Sequence, residues 1–217
     1  MEKRMRNYTG EHIDVSYEVE RCIHVAECVT RLSAVFDRNR RPWVLPDAAA
    51  ADRVAETVVA CPSGALHYVR KDGGPGESAE AHNTIRLIRN GPLHVRGDFT
   101  IVNGTGALVV DDTRAALCRC GGSANKPFCD NAHQTNGFVA PDTVAEPQSI
   151  IAPLPGSKLC IKTTTNGPLH ITGSFVILNG QGEAVYQGTD EWFCRCGGSA
   201  NKPFCDGTHE KIGFIAD

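Results

Sequence analysis

Apolar and polar residues alternate with period two along Leu93–Val102 and again along Leu169–Leu178, the spacing of a strand with one buried face. Asn103-Gly104 and Asn179-Gly180 follow these runs, and Asn-Gly accepts the positive φ angles of a tight hairpin. Return strands are predicted at Ala107–Val110 and Glu183–Tyr186, each leading into a cysteine block that ends in a short helical turn. The first part of the chain patterns differently. Asp47 can cap a helix over Ala48–Ala60 by accepting from its free N–H groups. A shorter helix is predicted near His24–Val35, and extended pieces at Ile13–Val19 and Ala65–Val69 can pair. That makes a small α+β domain of about 70 residues, near the lower size for independent folding.

The chain repeats itself once, at an offset of 76. Asn90–Ala140 aligns without gaps on Asn166–Ala216, with 30 identities in 51 positions, and Cys118–Asp130 returns unchanged as Cys194–Asp206. One match means duplication of a module rather than a solenoid. Two segments read as linkers. Lys71–Ser78 is polar and Gly-rich, and Pro141–Ser157 carries Pro141, Pro147, Pro153 and Pro155, which stiffen a connection and cannot donate within a central strand. The expected organisation is residues 1–70, a linker at 71–84, a module at 85–140, a linker at 141–157 and a second module at 158–217.

A formal charge of −3 argues against nucleic acid or a membrane surface as partner, since both need a basic patch. No apolar run approaches a membrane span, and Met1–Glu20 lacks the apolar core of a secretory signal. The expectation is a bacterial cytoplasmic monomer. With 10 Cys and only 14 Phe, Trp and Tyr residues in 217, the core needs further support, and cysteines without an export signal point to metal or cofactor ligation rather than disulfides.

The repeated block reads Cys118-x-Cys120-x8-Cys129-x3-His133 and Cys194-x-Cys196-x8-Cys205-x3-His209. Residues two apart on an extended segment point the same way, and residues four apart on a helix share a face. Each set can therefore grip one centre, with Gly121-Gly122 permitting the tight return of the chain. Three thiolates and an imidazole suit tetrahedral Zn²⁺ as well. Cys205-Asp206-Gly207-Thr208-His209, with the upstream Cys-x-Cys, the Ser and the Pro-x-Cys, resembles the signature of the CDGSH iron–sulfur proteins, the mitoNEET-type family. The resemblance covers about half of the chain. It implies one [2Fe-2S] cluster per module, with Cys118, Cys120, Cys129 and His133, and Cys194, Cys196, Cys205 and His209, as ligands. It also implies that the two modules form an internal pseudo-dimer. Repeat one has Asn131-Ala132 where Gly and Ser are usual, which puts its local turn geometry in question.

A neutral imidazole in place of a thiolate raises the reduction potential of such a cluster, and it can be protonated off the metal in mild acid. Around the ligands, Arg119, Lys126, Arg195 and Lys202 read either as a solvated surface or as charge compensation for an anionic cluster. Ser123 and Ser199 suit hydrogen bonds at a turn, and Asp130 and Asp206 suit a helix start or the orienting of a ligand.

The first domain carries Cys22-x5-Cys28-x32-Cys61-Pro62, which resembles small single-cluster bacterial ferredoxins. Val25 stands where a further Cys is usual. Three thiolates favour [3Fe-4S], whereas His24, in a Cys-x-His arrangement, can supply a fourth ligand for [4Fe-4S]. Buried structural thiols are the plain alternative. Cys160, whose counterpart is Thr84, reads as a buried strand thiol, and His94 and His170 read as structural hydrogen-bonding residues. Nothing marks a nucleophile or a substrate pocket, so no catalytic residue is assigned. The expected fold class is α+β, a ferredoxin-like domain followed by two mostly-β modules. The expected function is electron transfer, with cluster storage and transfer as the alternative and structural zinc as the remote one. The expected partner is a reductase or an apo cluster acceptor.

Overall fold

A computed structural model describes residues 4–150 and 156–216; Pro153 and Pro155 of the second predicted linker lie outside them. The chain forms two compact units, Met1–Ser78 and Ala79–Asp217.

In the first unit, β1 (Met5–Tyr8), β2 (Ile13–Glu18) and β3 (Leu66–Arg70) make an antiparallel sheet in the order β1-β2-β3. The β2–β3 pairing joins the two extended pieces expected from the sequence, with Val15 opposite Tyr68. The polar β1 gave no apolar alternation to detect. Helix α1 covers Glu27–Arg31, and α2 covers Ala51–Val59. Ala51, Val54, Ala55 and Val58 of α2 are buried, one face at helical spacing, packed with Ile13, Val15, Phe36 and Val44. Asp47 does not cap this helix. It lies in a 3₁₀ turn, Pro46–Ala48, and its carboxylate accepts from the Glu11 N–H at 2.7 Å. The helix therefore begins later, after Ala50, which offers no side-chain acceptor.

In the second unit, β4 (Thr84–Leu87), β5 (Leu93–Val102) and β6 (Leu108–Leu117) belong to the first module, and β7 (Leu159–Thr163), β8 (Leu169–Leu178) and β9 (Ala184–Phe193) to the second. Each module's first strand is shared. β4 pairs antiparallel with its own β5 and parallel with β8, while β7 pairs antiparallel with β8 and parallel with β5. The four strands close a ring, with β6 and β9 added outside. The exchange happens at bulges. β5 changes partner between Arg96 and Phe99, where Gly97 takes φ +133°, and β8 shifts between Thr172 and Phe175, where Gly173 takes φ +102°. A side chain at Gly97 would run into Asn83, so glycine is required at this crossing. Asn83 donates to the carbonyls of Ser157 and Ser174 and accepts from Asp98 N–H.

One core serves both modules, with Phe99, Ile101, Leu117, Phe175, Ile177 and Phe193 fully buried in it. Truncating Phe99 or Phe175 to Ala costs about 3–5 kcal/mol. The two hairpins form where Asn-Gly predicts them, but the positive φ falls on Gly106 and Gly182. Asn103 and Asn179 instead accept from Ala107 N–H and Glu183 N–H through their side chains, the turn chemistry of Asn. Cys160 is exposed, against expectation, because Leu159, Ile161 and Thr163 take the inner positions of β7.

Candidate metal centres

Each cysteine block leaves the end of a long strand and folds back on it. Cys118 N–H donates to Pro127 C=O and Cys129 N–H to Ala116 C=O, both at 2.9 Å. The second module repeats this with Cys194 to Pro203 and Cys205 to Trp192, at 2.8 and 2.7 Å. The fold-back sets the Cys-x-Cys pair beside the third cysteine. Cys118 and Cys120 bring their Sγ atoms to 3.7 Å, and Cys194 and Cys196 to 3.8 Å. Cys129 Sγ lies 3.5 Å from His133 Nδ1. In the second module, His209 Nδ1 instead donates to the Asn166 carbonyl at 3.0 Å. Of the eight residues picked from the two sequence blocks, His209 is the one whose ring has a backbone partner here.

Fixed N–H groups point at the sulfurs. Asn131 N–H donates to Cys129, Gly207 N–H to Cys205 and Gly198 N–H to Cys196, each at 3.4 Å. Burial pushes the Cys129 and Cys194 thiols up to about 11. A hydrogen bond from Cys118 pulls the Cys120 thiol down to about 5, helped by the Gly122 N–H, the Asn136 amide and the His133 charge, while the Cys118 thiol rises. Thiolates crowded and buried in this way need a cation among them. Three sulfurs and one imidazole are a soft donor set that fits an iron–sulfur centre.

The turn bearing His133 starts at Asn131, with φ +72°, and the turn bearing His209 starts at Gly207, with φ +81°. Asn tolerates this left-handed conformation, and a Cβ at Gly207 would meet nothing within 4 Å. The departure of repeat one from the usual signature thus leaves the turn intact. Asp130 accepts from Ala124 N–H and Ala132 N–H, and Asp206 from Ala200 N–H and Thr208 N–H. These donors hold the Asp206 carboxyl well below the usual range, the bond from Thr208 first among them. Ser123 and Ser199 donate to the carbonyls of Phe128 and Phe204 at 2.7 Å.

Arg119 and Arg195 do not form a solvated surface; they are 1% and 0% exposed. Arg119 donates to the carbonyls of Gly91, Ile88 and Pro141, and Arg195 to those of Gly167, Thr164 and Ala216. Each guanidinium latches the loop before its strand to the end of its module. Arg119 Nη1 is buried without a hydrogen-bond partner among the described residues. Burial pushes this guanidinium down to about 10, opposed by the negative charges of Cys194 and Asp142. It remains cationic at neutral pH, within electrostatic reach of the opposite module's cysteine.

The two blocks meet. A Cβ at Gly197 would come within 2.6 Å of the Cys120 carbonyl oxygen, and one at Gly121 would run into the Cys196 carbonyl oxygen. Lys202 lies over Phe138 and Lys126 over Phe214, both at 5.9 Å and both across modules, while Arg119 and Arg195 cover the same rings from within their own module. Lys126 and Lys202 also donate to the carbonyls of Ser123 and Ser199. Sequence reasoning missed Gly121 and Gly197 as contact points, and it missed Asn136. The only signal for Asn136 was the mismatch with Ile212 at the same repeat position.

In the first unit, Cys22, Cys28 and Cys61 line one small space together with His24. Cys22 Sγ lies 3.8 Å from His24 Nδ1. His24 and Ala26 both have positive φ, at +54° and +69°, and the chain turns sharply between Cys22 and α1. Burial pushes the Cys28 thiol up to about 11, with the Cys61 and Cys22 charges adding to it. Tyr17, absent from the sequence-based site, is pushed up by burial and by its contact with Cys22. Three half-buried thiols lining one space fit a cluster here as well. His94 and His170 lie apart from these centres. His170 bonds Asp190 at 2.6 Å and stacks on Trp192 at 4.0 Å, as a structural histidine should, but buried His94 Nε2 has no such partner among the described residues.

Comparison with known proteins gives the same division. Residues 8–71 match the family described as divergent 4Fe-4S mono-cluster, and residues 90–134 and 166–210 each match the iron-binding zinc finger of CDGSH type. The first unit is also 41% identical over 66 residues to the protein YjdI of Escherichia coli strain K12, and equally to that of Escherichia coli O157:H7. These alignments cover 30% of this chain and 87% of each relative. Fold and donor sets thus define an iron–sulfur protein with an α+β, ferredoxin-like unit and a paired β unit. The chain belongs to the divergent 4Fe-4S mono-cluster family through its first unit and carries two tandem CDGSH modules, arranged as an internal pseudo-dimer, in its second. No helix among the described residues is long and apolar enough to cross a membrane.

Proposed function

We propose that the chain is a one-electron carrier with three cluster sites and no catalytic residue. Cys118, Cys120, Cys129 and His133 hold one [2Fe-2S] cluster, and Cys194, Cys196, Cys205 and His209 hold a second. Cys22, Cys28 and Cys61 hold a third, of [4Fe-4S] type with His24 as the fourth ligand, or of [3Fe-4S] type without it. A bound cluster of either kind supplies reversible gain and loss of one electron.

The observation that carries this reading is the contact between the two cysteine blocks. The Gly121 and Gly197 backbones pack against the carbonyls of Cys196 and Cys120, too close to admit a side chain between them. Backbone N–H groups, the Asn136 amide and the buried Arg119 offset negative charge on the sulfurs, which favours the reduced state of whatever they surround. His133 and His209 are half-buried rather than sealed in the core, which favours cluster transfer as the second reading. The partner is a reductase in the first case and an apo acceptor in the second, and the working compartment is the bacterial cytoplasm.

Stopped-flow reduction followed by air reoxidation separates the two readings. A carrier recovers its full visible spectrum through repeated cycles and leaves an apo [2Fe-2S] acceptor colourless. Loss of colour matched by reconstitution of the acceptor makes transfer the function.

A further inference from the structure

The cationic side chains of the first unit are nearly all spent. Arg4 pairs with Glu20, Arg21 with Glu18, Arg31 with Glu27, Arg53 with Glu56, Arg70 with Asp52 and Asp72, and Lys71 with Asp14. Arg40 donates to the carbonyls of Ala34, Val35 and Pro42. Among the described residues, Arg6, Arg38 and Arg41 have no carboxylate partner; Arg41 donates only to the Arg38 and Arg40 carbonyls. All three line the same open cavity of about 230 Å³, and no carboxylate lines it with them.

Besides Cys22, His24 and Cys28, the rest of that cavity is aromatic and apolar. Tyr17 and Trp43 stand edge to face at 5.0 Å, and Val19 and Val29 complete the wall. The cavity shares Tyr17, Cys22, His24, Ala26, Cys28 and Trp43 with the cysteine space but not Cys61, Pro62 or Ser63. The two spaces adjoin through these residues, and Arg6, Val19, Val29, Arg38 and Arg41 line this cavity alone.

We infer that this cavity is a binding site for a small flat molecule bearing a carboxylate or phosphate group. Guanidinium forks match the geometry of such oxyanions and bind them through paired charge-assisted hydrogen bonds. Arg6, Arg38 and Arg41 take the anionic end, and Tyr17 and Trp43 take the flat body, the usual division of labour in a ligand pocket. A molecule seated there touches the loop carrying Cys22 and Cys28. The anionic end stands on three arginines that do not line the cysteine space, and it does not rest on the cluster assignment.

Calorimetry on the full chain at low ionic strength tests this, with phthalate as the aromatic carboxylate probe, pyrophosphate as the phosphate probe and benzamide as the uncharged flat control. Visible spectra recorded in parallel report the clusters. Phthalate is expected to bind saturably and more tightly than pyrophosphate, and benzamide is expected not to bind. Arg38→Glu with Arg41→Glu, both exposed positions, weakens phthalate at least tenfold, and the milder Arg38→Gln with Arg41→Gln severalfold. Arg53→Gln, outside the cavity, leaves binding unchanged. The proposal is overturned if neither anion binds, if pyrophosphate binds more tightly than phthalate, or if both arginine pairs of variants bind as the wild type does. An acidic protein that binds this face in place of either small anion overturns it equally.

Discussion

The two CDGSH modules share an unchanged thirteen-residue block, yet they differ in what surrounds it. Asn136 hydrogen-bonds Cys120 in the first module. At the equivalent place in the second, Ile212 packs toward Gly198, 3.1 Å from where a Cβ would stand. On the outer sheet face, His170 stacks on Trp192 and bonds Asp190. Its counterpart His94 is half-buried beside Arg86 and Arg96, where burial and the two charges push it down to about 4, and Arg114 and Ala116 stand in place of Asp190 and Trp192. The pairing geometry that the modules make together is symmetric, and the polar environment that each makes alone is not. Two sites with one donor set should therefore differ in potential and in response to pH.

The largest expected effect tests the symmetric part. Gly121→Ala and Gly197→Ala each force a Cβ into the opposite backbone at a residue with φ near +80°. Left-handed strain and overpacking together should lower stability by about 3–5 kcal/mol, equally for the two variants, in urea unfolding followed by circular dichroism. Inequality would show that the pseudo-two-fold contact is not shared evenly.

The next tests the asymmetric part through pH. The folded state favours neutral His94, while the unfolded chain takes up a proton near pH 6.5. This residue therefore leaves stability intact above about pH 6.5 and removes it as the pH falls toward 4, by about 3 kcal/mol in all. His94→Gln should flatten that part of the stability profile measured by thermal unfolding across pH.

A smaller effect concerns the unpartnered Arg119. Removing one buried positive charge near the opposite module, as in Arg119→Met, should lower a potential by about 2 kcal/mol, on the order of 90 mV for one electron. In redox titrations the fall should be larger for the second module, read in a Cys129→Ser background, than for the first, read in a Cys205→Ser background. Smaller again is Asn136→Ile. Loss of an amide hydrogen bond to sulfur should lower the first module's potential by about 1 kcal/mol, roughly 40 mV, and bring the two modules closer together. The least effect belongs to the ligand turn. Asn131→Gly and Gly207→Asn should each change stability by no more than about 1 kcal/mol, since both residues already hold the same conformation.

Much of this arrangement was readable in the residues. The alternation of Leu93–Val102 and Leu169–Leu178 gave the bounds of β5 and β8, because a shared core buries one face of each. Spacing and repetition singled out the Cys-x-Cys pairs whose sulfurs the structure brings to 3.7 and 3.8 Å. The exchange of β4 and β7 between modules was not legible, since parallel pairing across the duplication leaves no local pattern. Burial of Arg119 and Arg195 was hidden for a different reason. A charged residue reads as solvated unless its partners are known, and here the partners are six backbone carbonyls, which carry no sequence signal. Cys160 was misread although Leu159 and Ile161 fix its outward position, and Asp47 was misread because its carboxylate serves Glu11 instead of the helix.

The central claim is three separate cluster sites built from the named cysteines. Iron, sulfide and zinc content with visible spectra, on anaerobically purified wild type and on Cys61→Ser, Cys129→Ser and Cys205→Ser, tests it most directly. The account predicts a zinc-free, coloured protein in which each substitution removes one cluster's iron and sulfide and leaves the other two spectra in place. A colourless zinc protein, or iron content unchanged by Cys61→Ser, would contradict it.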